Sequence, residues 1–352
     1  MPPIHHMLFA SLPALTTTTQ DTMRSDVTRN LGRTAAMAAL VFSAVLGTHC
    51  VQAQTYPNRP IKLIVGFPPG GSSDATARLL ATALADKLGQ PVVVENKAGA
   101  NTVIATQYVR SQPADGYTLF SVSSSFAINP ALQKLNYNIY KDFTPVALLG
   151  VIPLWLVTPN QVPVKSVGEL VSLAKAQPGK LAYASYGAGS AGHLASELLL
   201  SMTKTNMIHV PYKGTGPAIV DVIGGQVTMM MPTVASSLTL VKEGKLRAIA
   251  VSSSKRVSAV PDVPTIAESG VPGFELVAWE SIQVAAGTPP AIVFRLNTAI
   301  RDIVASPGFR EKLIKLGIEP ETKMASNDVA KFIRSEAEKF EKIIRERNIK
   351  AE

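Results

Sequence analysis

From residue 61 to residue 251, short β-branched runs alternate with helical segments, and that alternation restricts the chain to α/β architectures. Strands are predicted at 61–65, 91–94, 117–122, 181–184, 207–210, 226–231 and 246–251. One intervening helix sets Ala77, Leu80, Ala81, Leu84 and Leu88 on a single face and closes at Gly89; others are predicted at 101–112, 166–177, 191–203 and 216–223. A further strand, 276–285, and three amphipathic helices follow. Largely parallel sheets are expected from this order. Roughly 300 residues favour two domains over one. Pro-marked breaks at 153–163 and 271–273 bracket a self-contained block, so one lobe is expected at 157–274 and the other at 54–156 plus 275–352. Two crossings between lobes would leave a hinge and a cleft. Ligands of open α/β sheets bind outside the carboxyl ends of the strands, so the strand-to-helix loops should face that cleft.

Two of those loops are rich in glycine and hydroxyl residues. The first is Gly66-Phe-Pro-Pro-Gly-Gly-Ser-Ser-Asp74, where glycines permit close backbone approach and Ser72 or Ser73 can cap the helix that follows. Free amides and the positive dipole end of that helix favour an anion. The second is Ser185-Tyr-Gly-Ala-Gly-Ser-Ala-Gly-His193. It contains G-x-G-x-x-G at Gly187, Gly189 and Gly192, but the acid that a dinucleotide site needs about 20 positions later is missing. Ala188-Gly-Ser190-Ala-Gly192 resembles a nucleophile elbow, and His193 and His209 are the histidines that could serve it. The required serine, acid, histidine order is barely available, so no catalytic residue is assigned. His193 and Glu197 form an i,i+4 pair without an evident third ligand, so no metal site is expected. His193 instead suits a hydrogen bond at the helix start, and Met229, Met230 and Met231 suit a core strand.

The N-terminal residues carry a different message. After Met23, three arginines precede an apolar run at 35–46 and the small-x-small sequence Val51-Gln-Ala53. This is the pattern of a cleaved secretory signal peptide, with cleavage expected after Ala53 and residues 1–53 removed. The apolar part is too short to span a bilayer. Cys50, the sole cysteine, follows His49 rather than a small residue, which argues against lipidation. A net charge of +9 suits attraction of anionic solutes. The basic residues are scattered, without the stripe and interleaved aromatics of a nucleic-acid surface.

A longer pattern carries a family resemblance. The runs YPNRPIKLIVGFPPGGSSDATARLLA, VVVENKAGA, ADGYTLF, GSAGHLASELL, HVPYKGTGPAIVDVIGGQV, GKLRAIAVSSSKR and PDVPTIAESGVPGFE follow one another in order. Together they resemble the Bug (TctC-type) extracytoplasmic receptors of the tripartite tricarboxylate transporter system. The resemblance implies a type II periplasmic-binding-protein fold, two α/β lobes with a ligand cleft between them. It also implies a monomeric periplasmic receptor for a small organic acid, without cofactor or catalysis, working with membrane transporter subunits. It places ligand contacts at Phe67, Pro69, Gly70, Gly71, Ser73 and Asp74 in the first loop and at Tyr186, Gly187, Gly189, Ser190 and His193 in the second. Ser123 and Ser124, and Tyr212, Lys213 and Gly214, would assist. A sensory receptor of the same fold, or a secreted hydrolase using Ser190, are the alternative readings. Thr228 and Pro232 stand where relatives commonly carry aspartates, so a relative's ligand does not transfer to this chain.

Overall fold

The computed structural model describes residues 56–350, and the expected signal peptide, with Cys50, lies outside them. The described residues form two mixed sheets flanked by helices. The first sheet has the order β11-β4-β10-β3-β1-β2, from β1 (Ile61–Val65), β2 (Val92–Asn96), β3 (Thr118–Ser123), β4 (Phe143–Pro153), β10 (Val277–Ala285) and β11 (Glu319–Pro320). The second has the order β7-β6-β8-β5-β9, from β5 (Trp155–Pro159), β6 (Ala182–Ser185), β7 (Ile208–Pro211), β8 (Met229–Met230) and β9 (Leu246–Val251).

Local sequence explains most of these elements. In β1, Ile61, Leu63, Ile64 and Val65 are fully buried. The first helix, α1 (Ser72–Leu88), buries Thr76, Ala77, Leu80, Ala81 and Leu84 at helical spacing. Each fully buried leucine contributes about 1.5–3 kcal/mol. Gly89 ends α1 in the left-handed region at φ 71°, with its N–H donating to the Ala85 carbonyl. The helix at Ala191–Thr203 and the strand at Leu246–Val251 have the bounds expected from sequence. The three methionines 229–231 are fully buried, as expected, but only Met229 and Met230 are strand.

The sheets are less parallel than expected. β1 runs parallel to β2 and β3, and β6 parallel to β7 and β8, but β10 is antiparallel to β3 and β4. β5 is likewise antiparallel to β8 and β9. The cause is the double crossing. β4 leaves the first sheet at Pro153 and β5 enters the second at Trp155, while β10 returns after β9. Each incoming strand arrives from the cleft side, where the parallel strands end, and so must run against them. The region 153–163, read as a break, therefore holds a core strand: every residue of β5 is buried, and the Trp155 indole donates to Ser237 Oγ at 2.8 Å. Of its three prolines, Pro153 and Pro159 sit at strand ends, where a missing N–H is tolerated, and Pro163 lies beyond β5.

The last helix ties the two parts together. α10 (Ser326–Glu346) packs on β4 and on α3 (Ser125–Leu132), and it also reaches α5 (Ala191–Thr203). Its buried stripe of Val329, Ile333, Ala337, Phe340 and Ile344 joins one apolar cluster that includes Phe126, Trp279, Leu194 and Leu199. Just beyond it, Arg347 pairs with Glu197 of α5, whose other oxygen accepts from the Tyr183 hydroxyl at 2.5 Å. The remaining helices are α2 (Val103–Arg110), α4 (Val167–Ala176), α6 (Thr215–Ile223), α7 (Val234–Lys242), α8 (Pro290–Ala305) and α9 (Pro307–Lys315).

Candidate functional site

A cavity of about 580 Å³ opens between the carboxyl ends of the two sheets. Four helices begin at its wall. Ser72 and Ser73 open α1, Ser124 and Ser125 open α3, Ser190 and Ala191 open α5, and Thr233 precedes α7. The first amides of a helix have no intrahelical acceptor, and the aligned peptide dipoles leave about half a positive charge at that end. Among the described residues lining the cavity there is no lysine, arginine or histidine, and one acid, Glu280. The positive potential there comes from backbone and hydroxyl groups rather than from cations.

The first loop is built differently from its expected form. Gly71 caps α1 in extended geometry (φ −81°, ψ 173°), and neither Ser72 nor Ser73 serves as a side-chain cap. Ser73 Oγ instead donates to Glu280 Oε1 at 2.7 Å. Asp74 is turned away from the cavity: Oδ2 accepts from the Gly70 N–H at 3.0 Å and Arg78 Nε at 2.9 Å, and Oδ1 accepts from Asn96 Nδ2 at 2.9 Å. Arg78, with Gly70 and Asn96, pulls its carboxyl down to about 2. Asp74 thus braces the loop from behind. Phe67 and Ser73 line the cavity; Pro69, Gly70, Gly71 and Asp74 do not. The glycine that bends this backbone is Gly70, at φ 86°, rather than Gly71.

In the second loop Tyr186, Gly187 and Ser190 line the cavity. Ser190 caps α5, its Oγ accepting from the His193 N–H at 3.3 Å, and the Tyr186 hydroxyl accepts from the Gly192 N–H at 2.9 Å. Gly189 and His193 lie behind this surface. The Gly189 N–H donates to His193 Nδ1 at 3.0 Å, and the His193 ring stacks on His209 with centroids 3.7 Å apart. Burial, with a smaller contribution from His209, pulls the imidazole down to about 3, so it is neutral. Its one lone pair is committed to a backbone amide, which leaves it unable to deprotonate Ser190. His193 therefore does what the sequence suggested, a hydrogen bond at the helix start. Ser123 and Ser124 line the cavity as expected, and Ser124 Oγ also accepts from the Trp279 N–H at 2.9 Å. Tyr212, Lys213 and Gly214 do not line it: the Tyr212 hydroxyl donates to Asp221 at 2.6 Å, and Lys213 is exposed.

Three contributions were not anticipated. Ala100, Asn101 and Thr102 are successive left-handed residues (φ 44°, 48° and 77°) where a helix was expected to begin at 101, and Ala100 and Asn101 line the cavity. Such conformations cost roughly 1–2 kcal/mol each in non-glycine residues and concentrate at functional sites. The turn is held by Asn129, which exchanges hydrogen bonds of 2.8 and 2.6 Å with Asn101. An asparagine after Gly99 was the available signal, because Asn tolerates this region. Thr233, with Oγ1 accepting from the Ser236 N–H, is the second addition. Glu280 is the third: it is 1% exposed, burial pushes its carboxyl above the ordinary range against the hydroxyls of Ser73 and Thr76, and Oε2 has no hydrogen-bond partner. Nothing local marks it, since it sits within a strand predicted at 276–285 without a loop or helix start beside it. Among the described residues no group of three or more His, Cys, Asp or Glu side chains could hold a metal ion.

Comparison with known proteins adds to this geometry. A family model described as tripartite tricarboxylate transporter family receptor matches residues 76–349. Protein BugT of Bordetella pertussis is 40% identical over 315 residues, covering 88% of this chain and 96% of BugT. Among solved structures, R. palustris Rpa4515 with adipate superposes with a TM-score of 0.74 at 34% identity, over 84% of this chain and 100% of that one. MatC from Rhodopseudomonas palustris with bound malate gives 0.69 at 34% identity, over 82% and 100%.

Proposed function

Because this chain belongs to the tripartite tricarboxylate transporter receptor family, we propose that it is a periplasmic solute receptor that holds a small organic acid by its carboxylate in the cavity between the lobes. The observation that carries this reading is the convergence of four helix N-termini on a cavity lined by no cation. Amides at such ends bind an anion without a counter-charge and without ordering a flexible side chain. That adipate and malate occupy related proteins supports the same ligand class here. Residues 54–156 with 275–352, and 157–274, are taken as the two lobes, with the first boundary moved to Leu154 because β5 (Trp155–Pro159) belongs to the second sheet, and they are hinged at the two crossings. Ligand bound between them favours the closed arrangement by its differential affinity for it. In this reading residues 1–53 direct export and are removed, and transporter subunits in the membrane receive the ligand.

A thermal-shift screen of adipate, malate, succinate, citrate and amino acids tests the proposal. A ligand at a hundredfold excess over its Kd stabilises the folded state by about 2.7 kcal/mol, which moves Tm by several degrees. Any stabilising acid is then measured by calorimetry. Stabilisation by none of these acids, or turnover of their methyl esters by a route lost in Ser190→Ala, would reject the receptor reading.

A further inference from the structure

The cavity wall contains an acid whose position a carboxylate receptor does not explain. Glu280 enters on β10, opposite Ser123 of β3 and Gly150 of β4, at the end of the strand that faces the cleft. Oε1 accepts from the Ser73 hydroxyl at 2.7 Å, while Oε2 is buried and has no hydrogen-bond partner, the nearby Thr76 hydroxyl donating to the Ser72 carbonyl at 3.0 Å. No ion pair among the described residues includes it. Asp74, one residue from Ser73, shows how this fold treats a structural acid: three donors satisfy both of its oxygens. Glu336 also has an unpartnered oxygen, but it is paired with Lys339 and does not line the cavity. An unpaired carboxylate oxygen in a buried wall carries the full desolvation penalty of that atom. Beside a bound carboxylate the penalty grows by repulsion unless the ligand itself brings a donor. Both oxygens are then satisfied, and an analogue lacking the donor is rejected because Oε2 stays orphaned.

We propose that Glu280 is a specificity residue, whose free Oε2 accepts a hydrogen bond from an N–H or O–H group of the ligand, so that the preferred ligand class is hydroxy-, amino- or amido-carboxylates rather than plain dicarboxylates. This rests on the carboxylate reading and narrows it. The helix N-termini hold the carboxylate common to all candidates, and Glu280 reads the substituent. The β-strand places it rigidly, and the Ser73 hydroxyl fixes the orientation of its carboxyl.

The experiment compares ligands matched in skeleton: succinate with malate, aspartate and succinamate, and glutarate with glutamate and 2-hydroxyglutarate, each by calorimetry at constant pH and salt. The wild-type protein is expected to bind at least one donor-bearing acid about tenfold or more tighter than its donor-free match. Glu280→Gln keeps the shape but can place an amide donor where Oε2 stood, and the preference should fall to about threefold or less, or reverse. Comparable wild-type affinities within every matched set would overturn the proposal without needing a variant. So would a preference that Glu280→Gln, shown to be folded by circular dichroism, leaves unchanged. Tighter wild-type binding of the plain dicarboxylates, strengthening as pH falls and made independent of pH but not lost in Glu280→Gln, would also overturn it, since Glu280 would then be donating its own proton. If no acid of either kind binds, the carboxylate reading itself fails and this inference with it; binding without discrimination rejects Glu280's role alone.

Discussion

Gly189 allows closure and backbone strain to be separated. It lies at φ 69°, and a Cβ built there would stand 2.3 Å from Leu132 Cδ1, at the end of α3. Gly189→Ala therefore carries two penalties of different kind. The left-handed backbone costs an L-residue about 1–2 kcal/mol, and it does so in the open and the closed protein alike. It should lower stability and leave affinity untouched. If the lobes part as proposed, the clash with Leu132 is relieved in the open state and weighs on the closed, ligand-bound one. The contacted atom is the tip of a flexible side chain, and moving it off its rotamer costs about 0.5–1.5 kcal/mol. Affinity should accordingly fall roughly two- to tenfold, on the same scale. Calorimetry with adipate or malate, whichever stabilises the wild type, measures this loss, and urea unfolding without ligand measures the strain. Adding Leu132→Ala should remove the affinity loss and leave the stability loss in place. An affinity loss of the same size in the Leu132→Ala background would refute the reasoning, because the loss could not then arise from that contact.

Other outcomes follow from the same geometry. Ser190→Ala removes both the α5 cap, about 1 kcal/mol of stability, and a hydroxyl at the cavity, so Kd should rise roughly tenfold or more if a charged ligand accepts from it; Ser73→Ala removes no cap but leaves Glu280 Oε1 buried without its donor, so it should lower stability by about 1–3 kcal/mol and weaken binding only through Glu280, which Tm and calorimetry measure. His193 is held neutral with its folded pKa at about 3, below the ordinary 6.5, so the unfolded chain binds the extra proton and stability falls as pH drops from about 6.5 towards 3. Between pH 7 and pH 5 this amounts to at most about 2 kcal/mol in urea unfolding, and His193→Asn should flatten that slope. Asp74, depressed to about 2, loses its contribution only lower, between about pH 4 and pH 2, so Asp74→Asn should leave the pH 7 to 5 slope as it is. Arg347→Ala leaves Glu197 buried with the Tyr183 hydroxyl as its remaining named partner and should cost about 1–3 kcal/mol, less than a fully buried pair because Arg347 is 27% exposed; an unchanged urea midpoint would show that the pair does not hold α10 to α5.

What the chain determines by itself is everything that acts over a few residues. Helical spacing from Ala77 to Leu84, the stop at Gly89, and the glycine- and serine-rich turns before α1 and α5 are local, and so is the consequence that free amides at those helix starts attract an anion. Ser190 caps its helix because the amide it accepts from, His193 N–H, lies three residues away. The tertiary structure decided which of these groups face the cavity. Ser73, three residues beyond Gly70, reads locally as a capping residue, yet its hydroxyl goes to Glu280, 207 positions away. Asp74 reads as a first-turn acid open to ligand, yet Asn96 on β2 takes it to the back of the loop. Lys213, the natural choice for binding an anion, is exposed and does not line the cavity. Trp279 and Glu280 reach the cavity because β10 returns from the second sheet and enters the first at the cavity end, a direction set by sheet order. Side-chain orientation there depends on pairing between segments more than a hundred residues apart, and no pattern within one segment encodes it.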